Sequence, residues 1–253
     1  LEEYAVYERN EYDYGVIFLN RPQKRNAISK EMRESISICL QRAKQDSIKF
    51  LVITGAGEKM FCAGGDLNEL HGNLSPEEAY DILNPMKQLV YQILTFPVPT
   101  ICLLNGDAVG GGCEIASACD IRIAKEGTRY GFVQSNLGIL PGWGGGAVLY
   151  QKVHPSFALQ WLIEAKLYHA EELKEKSWIH RIVKADEWND SRGLLADYIS
   201  KSHNQMFLLK QQYLKKITAG NISDLMDEEV KNAASLWDSS EHKAAVEKFL
   251  SRK

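Results

Sequence analysis

A chain of 253 residues is long enough to bury roughly three quarters of its unfolded surface; its 45% hydrophobic and 25% charged residues and 19 glycines match a soluble α/β protein and exclude disordered and fibrous classes. The 30 Lys and Arg against 33 Asp and Glu leave a formal charge of -3, which argues against a nucleic-acid or membrane binder working by bulk electrostatics. The 5 cysteines, Cys39, Cys62, Cys102, Cys113 and Cys119, lack C-x-x-C spacing, so they read as core residues in a reducing compartment, with no disulfide framework or zinc site.

Leu1 to Asn10 carries Glu2, Glu3 and Glu8 with no basic start or apolar run, so no secretory signal is expected. No apolar stretch approaches the roughly 18 residues of a membrane span, and the expected compartment is the cytoplasm. Tyr14 to Leu19 then reads as a strand, the region from about Lys30 to Gln45 as a helix, and Phe50 to Thr54, ending at Gly55, as a second strand. Ser75-Pro76-Glu77-Glu78 is a capping box with proline in the first helical position, and it predicts a helix through Ala79, Ile82, Met86 and Val90 toward Phe96, bent at Pro85. Thr100 to Leu104 is a continuous apolar run of buried-strand type, followed by the glycine-rich Asn105 to Glu114 and a short helix to Ala118. Asp120 to Ala124 predicts another strand. From Pro155 onward β signals fade except near Ile182-Val183, and helices are predicted from Ser156 to Ala165, Ala170 to Lys176, Ser191 to Ser202 and on toward Phe249. The layout is an α/β core over residues 1–190 followed by a helical region over 191–253, with no low-complexity linker or close internal repeat.

Two segments combine a strand end, glycines and a helix start: Phe61-Cys-Ala-Gly-Gly-Asp-Leu67 and Gly110-Gly-Gly-Cys-Glu114. Glycine allows close backbone approach, and a first helical turn leaves its amides unpaired with a partial positive charge. Two such turns facing each other would make an oxyanion hole; each alone would be an ordinary tight turn. Neither a G-x-x-x-x-G-K-[ST] phosphate loop nor a G-x-G-x-x-G dinucleotide fingerprint is present, which sets nucleotide hydrolysis and nicotinamide chemistry aside.

Several motifs in order extend this picture: Leu19-Asn-Arg-Pro22 with Asn26-Ala27, Phe61 to Asp66, Asn105-Gly106 leading to Gly110 to Glu114, Cys119-Asp-Ile-Arg122, and Leu137-Gly-Ile-Leu-Pro-Gly142 with Gly144-Gly145. Over essentially its full length the chain resembles the crotonase (enoyl-CoA hydratase/isomerase) superfamily. The resemblance implies a spiral of repeated ββα turns, a helical C-terminal region that builds homotrimers or hexamers, and a coenzyme A thioester as substrate, with no metal or redox cofactor. It implies that Gly65 and Gly111 donate N–H groups to the thioester oxygen. It also places Lys24, Arg25 and Ala27 along the CoA moiety and Ala63, Asp66 and Leu67 near its adenine.

Hydratases of this family use two carboxylates, and the first matches Glu114. The second falls at Gln134, with Tyr130-Gly131 before it and Leu137-Gly138 after it keeping the register. Glutamine hydrogen-bonds a water but exchanges no proton near neutral pH. Glu114 also fits a first-turn acid complementing a helix dipole, and Gln134 a pocket-lining amide. Family isomerases keep the second carboxylate too, so decarboxylation of a malonyl-type thioester, which yields the enolate directly, is the preferred reading. Asn136-Leu-Gly138 and the stretch from Gly138 to Gly144 resemble methylmalonyl- and ethylmalonyl-CoA decarboxylases, and Trp143 either lines the acyl pocket or covers the core. The alternatives are hydration by Glu114 alone and a non-catalytic CoA- or RNA-binding or assembly module. Arg33, Arg42 and Lys44 share the first long helix with Glu31, Glu34 and Asp46, a mixed charge that argues against nucleic acid.

Overall fold

Ser29 opens the first long helix, α1 (Lys30–Gln45), by accepting a hydrogen bond from Met32 N at 3.2 Å, and the helix buries Met32, Ile36, Leu40 and Ala43 on one face. It lies between β2 (Gly15–Leu19) and β3 (Leu51–Gly55), which pair in parallel. The computed structural model describes residues 4–66 and 74–251. After β3 the chain repeats a strand, strand, helix unit: β3 with β4 (Met60–Cys62) and α2 (Pro76–Leu94), β5 (Thr100–Leu104) with β6 (Asp107–Val109) and α3 (Gly111–Ala118), then β7 (Ile121–Lys125) with β8 (Arg129–Gly131) and, after a 3₁₀ turn, α4 (Gly145–Lys152). Within each unit the first strand joins one sheet and the second strand joins another.

With the N-terminal β1 (Ala5–Arg9), the late β9 (Tyr168–His169) and β10 (Arg181–Val183), the large sheet has the order β1-β2-β3-β5-β7-β10 and the small one β4-β6-β8-β9. Among the described residues, only the outermost pairs β1–β2 and β8–β9 are antiparallel. This is the expected α/β spiral of ββα turns. β3, fully buried along its length, is the central strand its apolar run predicts. Ser75 and Glu78 close their capping box on α2, which continues through Pro85 to Leu94.

The structure departs from the sequence-based expectations at several places. β1 and β9 carry no clear strand signal, the first because its outer residues are exposed and charged, the second because two residues hold no period. The single helix expected from Ser191 to Ser202 is two short ones, α7 (Ser191–Leu194) and α8 (Ala196–Ile199), separated by Leu195 at φ -109 and ψ 9. Between them and α4 lie α5 (Pro155–Glu164) and α6 (Ala170–Glu175), close to their predicted bounds.

The last part of the chain is α9 (His203–Thr218), α10 (Ile222–Ser235) and α11 (Ser240–Leu250). Met226, Val230 and Ala233 of α10 enter the same hydrophobic core as Leu83, Met86 and Leu89 of α2. All five cysteines are buried. α9 is fastened by Lys210, whose buried ammonium donates to Asp120 at 2.6 and 2.7 Å and to Leu94 O at 3.0 Å. Lys210→Ala leaves the Asp120 carboxylate its hydrogen bonds from Thr100 N and Oγ1 but takes away its cation, and is expected to cost about 3 kcal/mol, read as a lower urea midpoint at unchanged slope. A loss below about 1 kcal/mol, the range of exposed pairs, would show that the pair does not hold α9. Among the described residues, no helix is long and apolar enough to cross a membrane.

Candidate active site

β4, β6 and β8 are adjacent and parallel, so the loops leaving their C-terminal ends emerge side by side. Those loops are Ala63–Asp66, Gly110–Gly111 and the turn beginning at Gln134. Two buried amides pin the turn between β3 and β4, the strand from which the first of them leaves. Asn26 donates to Ala56 O at 3.0 Å and Met60 O at 2.9 Å, while Asn105 donates to Gly57 O at 2.8 Å and accepts from Gly55 N at 3.0 Å. The asparagines that mark the sequence motifs are therefore pins for the strand ends.

Ile28 forms a parallel bridge with Gly65, donating to Gly64 O at 2.8 Å and accepting from Asp66 N at 2.9 Å. Such a bridge uses the peptide groups flanking Gly65 and leaves the Gly65 N–H pointing to the opposite side. Gly111 is the first residue of α3, a position whose N–H has no acceptor within its own helix. Gly64, at φ +83, brings the two turns together: a Cβ there would stand 3.0 Å from Gly111 N. Gly65 and Gly111 line one cavity of about 200 Å³ with Ala63, Glu114, Gln134 and Trp143, and Leu83, Val133, Ile139 and Trp237 supply apolar wall.

Glu114 is 1% exposed. Its Oε2 accepts from Trp143 N and Gly145 N, both at 2.9 Å, and its Oε1 accepts from Gln134 Nε2 at 2.9 Å. Gly145 must be glycine for this approach, because a Cβ would stand 2.3 Å from Glu114 Cβ. Burial pushes the Glu114 carboxyl up to about 7 against the pull of these donors. The Gln134 amide faces Glu114 with its nitrogen, and its buried Oε1 has no hydrogen-bond partner among the described residues.

The structure thus brings together Gly65, Gly111, Glu114, Gln134, Ala63 and Trp143. Lys24 and Arg25 lie exposed beside a 3₁₀ turn, outside the cavity wall, and Arg25 O accepts from Ala63 N at 3.0 Å. Ala27 O accepts from Arg21, whose guanidinium also holds the Asp66 carboxylate at 2.6 Å, so Asp66 is engaged within the protein. Leu67 lies outside the described residues.

Three contributors carry no local signal in the sequence. Leu83 and Trp237 reach the cavity from α2 and from the end of α10. Glu229 of α10 accepts from Gly146 N at 3.3 Å and Ala147 N at 2.5 Å, so a second carboxylate sits on the α4 N-terminus that also feeds Glu114. Burial and the neighbouring Glu114 push the Glu229 carboxyl well above its usual range. The loop below the cavity is clamped by α11, where a ring nitrogen of His242 lies 2.6 Å from Leu137 O.

The family model "Enoyl-CoA hydratase/isomerase" matches residues 11–253. The chain is 34% identical to the crotonyl-CoA hydratase of Syntrophomonas wolfei over 187 residues, 73% of this chain and 71% of that protein. It is 30% identical to the mitochondrial methylglutaconyl-CoA hydratase of Mus musculus over 193 residues, 75% of this chain but only 61% of that protein. The solved structure of enoyl-CoA hydratase from Bacillus halodurans superposes with a TM-score of 0.86 at 23% identity, covering 97% of this chain and 99% of that one, and shares the fold. The chain belongs to the enoyl-CoA hydratase/isomerase family of acyl-CoA enzymes.

Proposed function

We propose that this cavity holds the acyl group of a small malonyl-type CoA thioester, with the thioester oxygen between the N–H groups of Gly65 and Gly111, and that the reaction is decarboxylation. The bond from the α-carbon to the carboxylate breaks, carbon dioxide leaves, and the electron pair moves onto the α-carbon and the thioester oxygen. The two donors stabilise that charge where it develops. Glu114, raised to about 7, then gives its proton to the α-carbon and recovers one from solvent. Lys24 and Arg25 are exposed cations suited to the phosphates of CoA.

The observation that carries this reading is the 2.9 Å bond from Gln134 to Glu114, an amide where a second proton-exchanging carboxylate would serve hydration. The cavity wall supports it. Among the described residues, none that lines it is Lys, Arg or His, so a carboxylate gains no cation from them, whereas neutral carbon dioxide is at home among Leu83, Val133 and Ile139. A neutral Glu114 also spares the substrate carboxylate a like charge. Homotrimers or hexamers are part of the proposal, and exposed Ile163, Leu208 and Leu209 offer apolar surface for them.

A second reading is hydration by Glu114 alone. The unpartnered Oε1 of Gln134 favours it, because that atom can accept from a water beside Glu114, and the Syntrophomonas wolfei relative is named a crotonyl-CoA hydratase. Crotonyl-CoA hydration and methylmalonyl- and ethylmalonyl-CoA decarboxylation, assayed side by side with a Gln134→Glu variant, separate the two. The expected result is decarboxylation without efficient hydration in the native protein, and a gain of hydration of about tenfold or more in the variant. Rapid hydration by the native protein would reject the decarboxylase reading.

A further inference from the structure

Trp143 borders two cavities. On one side is the acyl cavity of about 200 Å³. On the other is a cavity of about 560 Å³ between α1 and α2, with Ile28, Ile82 and Met86 on its apolar side and Glu31, Arg33 and Asp81 among its polar groups. The indole is 4% exposed and packed so closely on the Gly111 Cα that a Cβ there would stand 2.0 Å from its Cζ3. Its backbone N–H is fixed by Glu114 at 2.9 Å. The ring is therefore held from both ends by the residues around which the acyl group would sit.

We propose that Trp143 is the partition that sets acyl length, closing the small cavity against the larger one and restricting the protein to short acyl groups. This rests on reading the small cavity as the acyl site. An acyl chain growing beyond a few carbons meets the indole, and the space that would receive it lies directly behind, walled by Ile82 and Met86. Removing the ring joins the two spaces. Each further methylene then moves from water to an apolar wall, a gain of about fourfold in affinity.

Calorimetric titration with the saturated thioesters butyryl-, hexanoyl- and octanoyl-CoA reads this without any turnover. Native protein is expected to bind butyryl-CoA more tightly than octanoyl-CoA. Trp143→Ala is expected to reverse the order, with affinity rising about fourfold per methylene, and Trp143→Leu to shift it the same way by less should the alanine variant fold poorly. Adding Ile82→Trp to either variant refills the space and is expected to restore the short-chain preference. A uniform loss across all three lengths would reduce Trp143 to a structural residue and overturn the proposal, as would a native preference for octanoyl-CoA. Failure of every thioester to bind native protein would overturn the functional reading itself, and the partition with it.

Discussion

Gly111→Ala is expected to lower kcat/KM by about 100- to 1,000-fold or more while the protein stays folded. Two effects act together. The added methyl would stand 2.0 to 2.5 Å from three atoms of the Trp143 ring, so the indole or the first turn of α3 must shift. Either shift moves the Gly111 N–H relative to the Gly65 N–H, and a donor displaced from the developing oxyanion no longer stabilises it. Gly220→Ala is the control, because among the described residues a Cβ there meets nothing within 4 Å; it is expected to change stability by no more than about 0.5 kcal/mol and leave turnover unaltered. Steady-state kinetics with far-ultraviolet circular dichroism checks both. An active Gly111→Ala enzyme would mean that the oxyanion is held elsewhere.

Glu114→Gln is expected to lower kcat by about 100- to 10,000-fold, the worth of a positioned proton donor, while leaving acyl-CoA affinity close to native. The pH profile carries the sign of its role. The carboxyl is raised from 4.5 to about 7, so its neutral form predominates below about 7 and is lost above it. As donor to the enolate, Glu114 predicts a rate that holds at low pH and falls through about 7. As base toward water, it predicts a rate that rises through the same point. Loss of this limb in Glu114→Gln assigns it to Glu114, and its persistence would assign it to another group.

The sequence is most legible where the structural signal is local. α1 keeps its predicted bounds because Ser29 caps it and Met32, Ile36, Leu40 and Ala43 mark one face. α2 begins where Ser75 and Glu78 reciprocate. The two glycine turns can be read as anion-binding because two segments in one chain combine a strand end, glycines and a helix start, but their mutual approach at Gly64 and Gly111 N is a tertiary fact. β4, β6 and β8 have three residues each, too few for a period to show, and they are the strands that aim the site. Glu229 and Trp237 come from α10 and its end, brought in by packing on α2 and α4, and nothing in their own neighbourhood distinguishes them from surface residues of an amphipathic helix. Trp143 was readable as a pocket residue, but not as a wall between two cavities, since α1 and α2 form the far side.

As an oxyanion hole, the N–H groups of Gly65 and Gly111 would together polarise a thioester carbonyl. The direct measurement is isotope-edited infrared spectroscopy of butyryl-CoA labelled with carbon-13 at the carbonyl, free and bound to the native protein. Two fixed donors predict a carbonyl stretch shifted to lower frequency on binding, with the shift largely lost in Gly111→Ala. A bound thioester whose stretch matches that of the free ligand in water would contradict the account.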